Sequence, residues 1–201
     1  MNKPGILLAS KSPARRRVLE NAGIPFSWCD AGVDEERLKS AFRTTVSDAG
    51  ALALALAEAK AAGAYENQQT DDIIIGCDQI LVLDGRLFDK PLSLVEAREH
   101  LKMFSGKMHQ LTSALCMMQS GSMLWSHVDR VNMHVRPLSE TFIDQYLHSE
   151  GERILSSVGA YLLESKGAQL FERIEGDYFS VLGLPLLPLL EELRKRGILY
   201  A

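Results

Sequence analysis

A chain of 201 residues, 46% hydrophobic and 24% charged, has the make-up of one ordinary globular domain with room for a substantial core. Its 22 basic and 26 acidic side chains leave a net charge of -4, which argues against a general nucleic-acid or membrane-surface binder while leaving room for a local basic cleft. No apolar run approaches membrane-spanning length, and the one beginning at Ile6 is too short for a secretory signal; with no C-x-x-C pair among Cys29, Cys77 and Cys116, a cytoplasmic chain with reduced, buried cysteines is expected.

In chain order, the apolar run from Ile6 predicts a strand. It is followed by a helix opened by Ser12 as N-cap and Pro13 at the first helical position, and closed near Gly23. Residues 24–29 read as a second strand, with an acidic turn at Asp30, Asp34 and Glu35 after it. An alanine-rich stretch with a leucine stripe predicts a helix over 47–65, and residues 72–83 read as a strand ending in an Asp84-Gly85 hairpin turn. Ser93 and Glu96 form a capping-box pattern for a helix over 94–104. Residues 108–118 and 122–135 read as two long strands, Ser139 caps a helix through Leu147, a further strand or two follows, and Pro185 opens a final helix stopped at Arg196-Gly197. Strands and helices mix without strict alternation, which predicts an α/β domain with a mixed sheet over residues 1–201.

Two segments carry candidate chemistry. The turn Ser10-Lys-Ser12-Pro13-Ala14-Arg15-Arg16 puts basic residues at a helix N-terminus, where free amides and the helix dipole favour an anion; a capped surface helix with solvated arginines shares this signature. Asp78 interrupts a strand otherwise apolar on both faces. It is either a structural carboxylate tying the strand down or one that activates water or binds a divalent metal. Lys60 on the alanine-rich helix, Lys90 in Asp89-Lys90-Pro91 and the turn Ser105-Gly106-Lys107-Met108-His109 are further basic positions, each equally at home as ordinary solvated surface. No zinc-ligand spacing, P-loop, dinucleotide fingerprint or serine-hydrolase elbow occurs.

The ordered set Leu8-Ala-Ser10-Lys-Ser12-Pro13-Ala-Arg15-Arg16, Val33-Asp34-Glu35, Ala57-Glu58-Ala59-Lys60-Ala61, Gly76-Cys-Asp78-Gln79, Asp89-Lys90-Pro91, Phe104-Ser105-Gly106-Lys-Met-His109 and Gly183-Leu184-Pro185-Leu186 closely resembles the Maf family of nucleoside triphosphate pyrophosphatases. The resemblance implies a mixed-sheet fold with flanking helices, related to the inosine triphosphatase-like architecture, with a deep nucleotide cleft between two lobes. It implies hydrolysis of a nucleoside triphosphate to the monophosphate and pyrophosphate with a divalent metal cation, Mg2+ or Mn2+, in a homodimer. Asp78 would be the general base. Ser12, Arg15, Lys60 and Lys90, with Ser10 and Arg16 beside them, would hold phosphate oxygens, and Glu35 and Asp78 would offer oxygen ligands to the metal.

Three positions sort substrates within that family, and here they are Ala14, Gln79 and Glu164. Gln79 and Glu164 match members that act on 7-methyl-GTP. An ionised Glu164 accepts from a guanine N–H edge or a cytosine amine and cannot donate to a uracil carbonyl. Ala14 departs from the aromatic residue of that type and lacks a cation–π contact worth up to about 2 kcal/mol on a cationic base. Trp28 and Phe88 are candidates to supply such a face from elsewhere; preference for dTTP, UTP or CTP, or a regulatory role in septum formation, is the alternative.

Overall fold

The buried run Ile6–Ala9 forms β1 and leads straight into α1 (Pro13–Asn21), as expected from Ser12 and Pro13. A computed structural model describes residues 4–42 and 48–200 of the chain. After β2 (Ser27–Trp28) come α2 (Glu35–Phe42), α3 (Ala49–Gln68), β3 (Ile73–Leu83), β4 (Arg86–Phe88), α4 (Leu94–Phe104), β5 (Met108–Gln119) and β6 (Ser122–Val135). The chain continues through α5 (Glu140–Glu150), 3-10 turns at Gly151–Ser156 and Lys166–Leu170, β7 (Phe171–Glu175), α6 (Tyr178–Val181) and α7 (Leu186–Lys195). The seven strands form one mixed sheet in the order β2-β1-β3-β5-β6-β7, with β4 paired to β3. β1 runs parallel to β2 and β3, whereas β3/β4 and β6/β7 are antiparallel.

Packing divides the chain into two compact units. The first comprises Met1–Gln79, Thr112–Asp129 and Tyr178–Ala201; the second comprises Ile80–Leu111 and Arg130–Asp177. In the first, Leu19 of α1, Leu189 and Leu193 of α7, and Leu184 just before α7 share one core with Leu8, Ile75, Leu115 and Met117 of the sheet. In the second, the core is aromatic: Phe104 packs edge-on against Phe88 at 4.9 Å and tilted against His109 at 4.9 Å, and Tyr161 meets Phe171 at 4.8 Å. Among the described residues no helix is long and apolar enough to cross a membrane.

Several expectations need correction. The strand expected over 24–29 shrinks to Ser27–Trp28, because Pro25 has no N–H to give a ladder. The acidic turn is the start of α2: Asp34 Oδ1 accepts from the Arg37 amide at 3.1 Å, and Glu35 and Glu36 fill a first turn whose dipole favours them. The alanine-rich helix is capped by Asp48 and runs on to Gln68, three residues past its expected end at Tyr65; its expected start at Ser47 lies outside the described residues. At α4 the box is incomplete, since Glu96 Oε2 accepts from the Leu92 amide rather than from that of Ser93. Cys77 and Cys116 are buried and free as expected, and burial pushes the Cys116 thiol up to about 12; Cys29, next to an edge strand, is half-buried.

Candidate active site

Because β1 pairs with β3 in register Ala9 to Gly76, the turn after β1 and the residues after Gly76 lie at the same end of a parallel ladder. Open α/β sheets bind ligands beyond that end. Ser10 is the hub of the turn: its hydroxyl oxygen accepts from the Ser12 amide and from Arg15 Nη1, each at 3.2 Å. Ser12 caps α1 by accepting from the Arg15 amide at 3.4 Å.

Arg15 is buried, and most of its donors are spent on the protein. Nε donates to the Gly183 carbonyl and Nη1 to the Cys77 carbonyl, both at 2.9 Å. Of five N–H groups, only the two on Nη2 have no bond among the described residues. Arg15 therefore braces the turn against β3 and can offer a ligand one edge. Gly183 makes room for it: φ is +83°, and a Cβ there would meet Nε at 3.0 Å. Arg16 lies 4.3 Å above the ring of Trp28, on the surface. Ala14 is half-buried in the first turn of α1.

Asp78 is the centre of charge. It is only 6% exposed, and its Oδ1 lies 2.5 Å from Lys60 Nζ, which also lies 2.8 Å from Glu35 Oε1. Burial alone would lower the lysine's pKa, and the Arg15 charge works the same way, but the carboxylates of Asp78 and Glu35 outweigh both and hold it above its ordinary value. Lys60 is thus a permanent cation between two carboxylates.

Two glycines bring these groups together. A Cβ on Gly76 would sit 2.1 Å from the Ala57 carbonyl oxygen, so only glycine lets α3 lie this close to β3 and deliver Lys60 to Asp78. A Cβ on Gly63 would meet the Ala31 carbonyl at 2.5 Å; its absence admits the segment that leads Glu35 to Lys60. Gly76 and Gly183 stand inside the motifs read from the sequence without a role assigned to them, and Gly63 was missed, with no signal beyond a glycine inside a helix.

Glu35 and Asp78 are hard oxygen donors converging on one cation, which fits a magnesium-type ion bound through one or two carboxylates, waters and substrate phosphates. They do not form a closed protein cage: no cluster of three His, Cys, Asp or Glu able to hold a metal occurs among the described residues.

Ser10, Ser12, Arg15, Lys60, Asp78, Glu35 and Gln79 all belong to the first unit, Lys90 and Glu164 to the second. Lys90 is exposed after β4, and Glu164 is exposed in a turn before the 3-10 helix Lys166–Leu170. That turn is rigidly built: Ser165 donates to the buried Glu150 at 2.8 Å, and a Cβ on Gly167 would meet the Leu162 carbonyl at 2.4 Å. The turn at 105–109 does not face an anion, since His109 is fully buried and Lys107 pairs with Asp84 at 2.8 Å. Phe88 cannot stack on a base, being 5% exposed and packed edge-on against His100 and Phe104.

Residues 5–196 match the family described as Maf-like protein. The chain belongs to the Maf family. Among curated Maf relatives, the 7-methyl-GTP pyrophosphatase of Rhizobium meliloti is 48% identical over 99% of this chain and 100% of its own length. The 7-methyl-GTP pyrophosphatase of Brucella suis is 47% identical over 94% and 95%, and the nucleoside triphosphate pyrophosphatase of Granulibacter bethesdensis is 46% identical over 96% and 98%. The Maf motifs of the turn after β1, of α3 and of β3 are the ones that supply the charged site above.

Proposed function

We propose that this Maf-family chain hydrolyses a nucleoside triphosphate between its α and β phosphates, releasing the monophosphate and pyrophosphate, with a 7-methyl-GTP type of preference. The observation that carries the reading is the buried Asp78 in contact with Lys60, beside the Ser10–Arg15 turn. Such a substrate carries about four negative charges, and breaking the anhydride adds charge to the leaving pyrophosphate, so catalysis is positioning and charge neutralisation. Lys60, the free edge of Arg15 and the Ser12 end of α1 supply donors, with Ser10, Arg16 and Lys90 as further phosphate-binding residues. Asp78 takes a proton from water as the water oxygen bonds to the α phosphorus and the bond to the bridging oxygen breaks. Glu35 and Asp78 would hold a divalent cation, Mg2+ or Mn2+, whose contribution is to neutralise phosphate charge.

The base preference rests on Gln79 and Glu164, together with the names of the Rhizobium and Brucella relatives. With Ala14 on α1 and Phe88 buried, an aromatic face for a cationic base would fall to Trp28, half exposed beneath Arg16. The resemblance favours a homodimer, while the unpaired cysteine pattern and the net charge of -4 favour a cytoplasmic protein with no nucleic-acid or membrane partner.

Incubation with 7-methyl-GTP, GTP, CTP, UTP and dTTP in the presence of magnesium tests this. Pyrophosphate is the expected product, fastest from 7-methyl-GTP, and Asp78→Asn is expected to cost about 10²–10⁴ in turnover. Orthophosphate as product, or an unimpaired Asp78→Asn, contradicts the reading; tight nucleotide binding without turnover would mark a nucleotide-dependent regulator instead.

A further inference from the structure

Gln79, the residue after the proposed base, is held in a way that its position in the sequence does not reveal. Its Nε2 lies 2.9 Å from Ser113 Oγ, 2.9 Å from the Ser180 carbonyl and 3.1 Å from the Val181 carbonyl. Carbonyl oxygens only accept, so the nitrogen end of the amide must face them, and the orientation of the amide follows from its partners. The two carbonyls lie at the C-terminal end of α6, where a helix runs short of backbone donors; that of Ser180 also accepts from the Gly183 amide at 3.1 Å. Ser113 completes the arrangement by accepting from Gln79 while donating to the Ser180 carbonyl at 2.8 Å. The Ser180 hydroxyl in turn donates to Asp129 Oδ2 at 2.5 Å, which ties the end of α6 to β6. Both Nε2 protons are consumed, and Oε1 makes no hydrogen bond among the described residues.

We propose that Ser113 is a positioning residue for nucleobase selection: the Ser180 and Val181 carbonyls set which end of the Gln79 amide faces them, and Ser113, with Ser180 and Asp129, holds that amide in place so that it presents only a carbonyl acceptor to the substrate. The inference rests on the pyrophosphatase reading and deepens it. A locked acceptor favours a base with adjacent N–H donors, the ring N–H and amino group of a guanine, over uracil or thymine, whose single ring N–H is flanked by carbonyl oxygens. A glutamine free to turn over its amide would serve either class.

The test is the ratio of kcat/KM for 7-methyl-GTP to that for UTP. Ser113→Ala removes two bonds of the relay at once, and the ratio is expected to fall roughly three- to tenfold, the worth of one neutral hydrogen bond. Ser113→Thr keeps the hydroxyl and is expected to restore the ratio. A serine with a purely structural role would change turnover on both nucleotides alike, so a ratio within twofold of the parent in Ser113→Ala overturns the inference. If Ser113→Ala does not fold, Asp129→Ala reads out the same ratio: a fall supports the relay, an unchanged ratio removes it. A parent protein inactive on every nucleotide would remove the pyrophosphatase reading itself and this inference with it; active enzyme with unaltered selectivity removes only the relay.

Discussion

Lys60 and His109 illustrate opposite solutions to burying a base. Lys60 keeps its charge because two carboxylates lie within 2.8 Å of it. Among the described residues His109 has only the Tyr161 hydroxyl, 2.8 Å from Nε2, as a hydrogen-bond partner and none at Nδ1, so burial, helped by the nearby His134, pushes its pKa down to about 3. It folds as a neutral ring, whereas in the unfolded chain it binds a proton near pH 6.5. Its folded pKa is depressed, so the stability present above pH 6.5 is lost as pH falls toward 3, by about 2 kcal/mol at pH 5 and more below. Urea unfolding at pH 7.5 and pH 5 is expected to show that loss in the parent and a clearly smaller one in His109→Gln. Equal losses in the two proteins would place the acid sensitivity elsewhere.

Elements that announce themselves do so through local chemistry. α1 and α5 are legible because Ser12 and Ser139 each accept from an amide three residues on and Pro13 fixes its own φ at the first helical position. The turns at Asp84-Gly85 and Ser120-Gly121 are legible because each needs two residues at positive φ. α2 carried a comparable signal in Asp34-Glu35-Glu36, which reads as a turn until the helix behind it is seen. The approach of α3 to β3 is a long-range fact resting on one missing methyl group. Gly76→Ala puts a Cβ against the Ala57 carbonyl, 2.1 Å away before any relaxation, and is expected to destabilise the protein by about 3 kcal/mol. Because the helix must retreat, its turnover should fall even at temperatures where it stays folded. A variant with parental melting and parental turnover would show that α3 does not depend on that contact.

For the molecule as a whole, the serine-proline turn and the lone carboxylate in an apolar strand stand out in the sequence by themselves, whereas Lys60 and Glu35 read as ordinary solvated charges and are singled out only by the resemblance to the Maf motifs. The supports of the site stand out in neither way. Arg15 and Gln79 are held by the carbonyls of Cys77, Gly183, Ser180 and Val181, and a backbone carbonyl has no residue type to read. Arg15 consequently reads as a phosphate clamp in the sequence, while the fold spends three of its donors on bracing. In the proposed reaction, water activated by Asp78 attacks the α phosphorus. Hydrolysis in ¹⁸O-labelled water followed by mass spectrometry tests it directly: the label is predicted to appear in the nucleoside monophosphate. Label recovered in pyrophosphate would contradict the account.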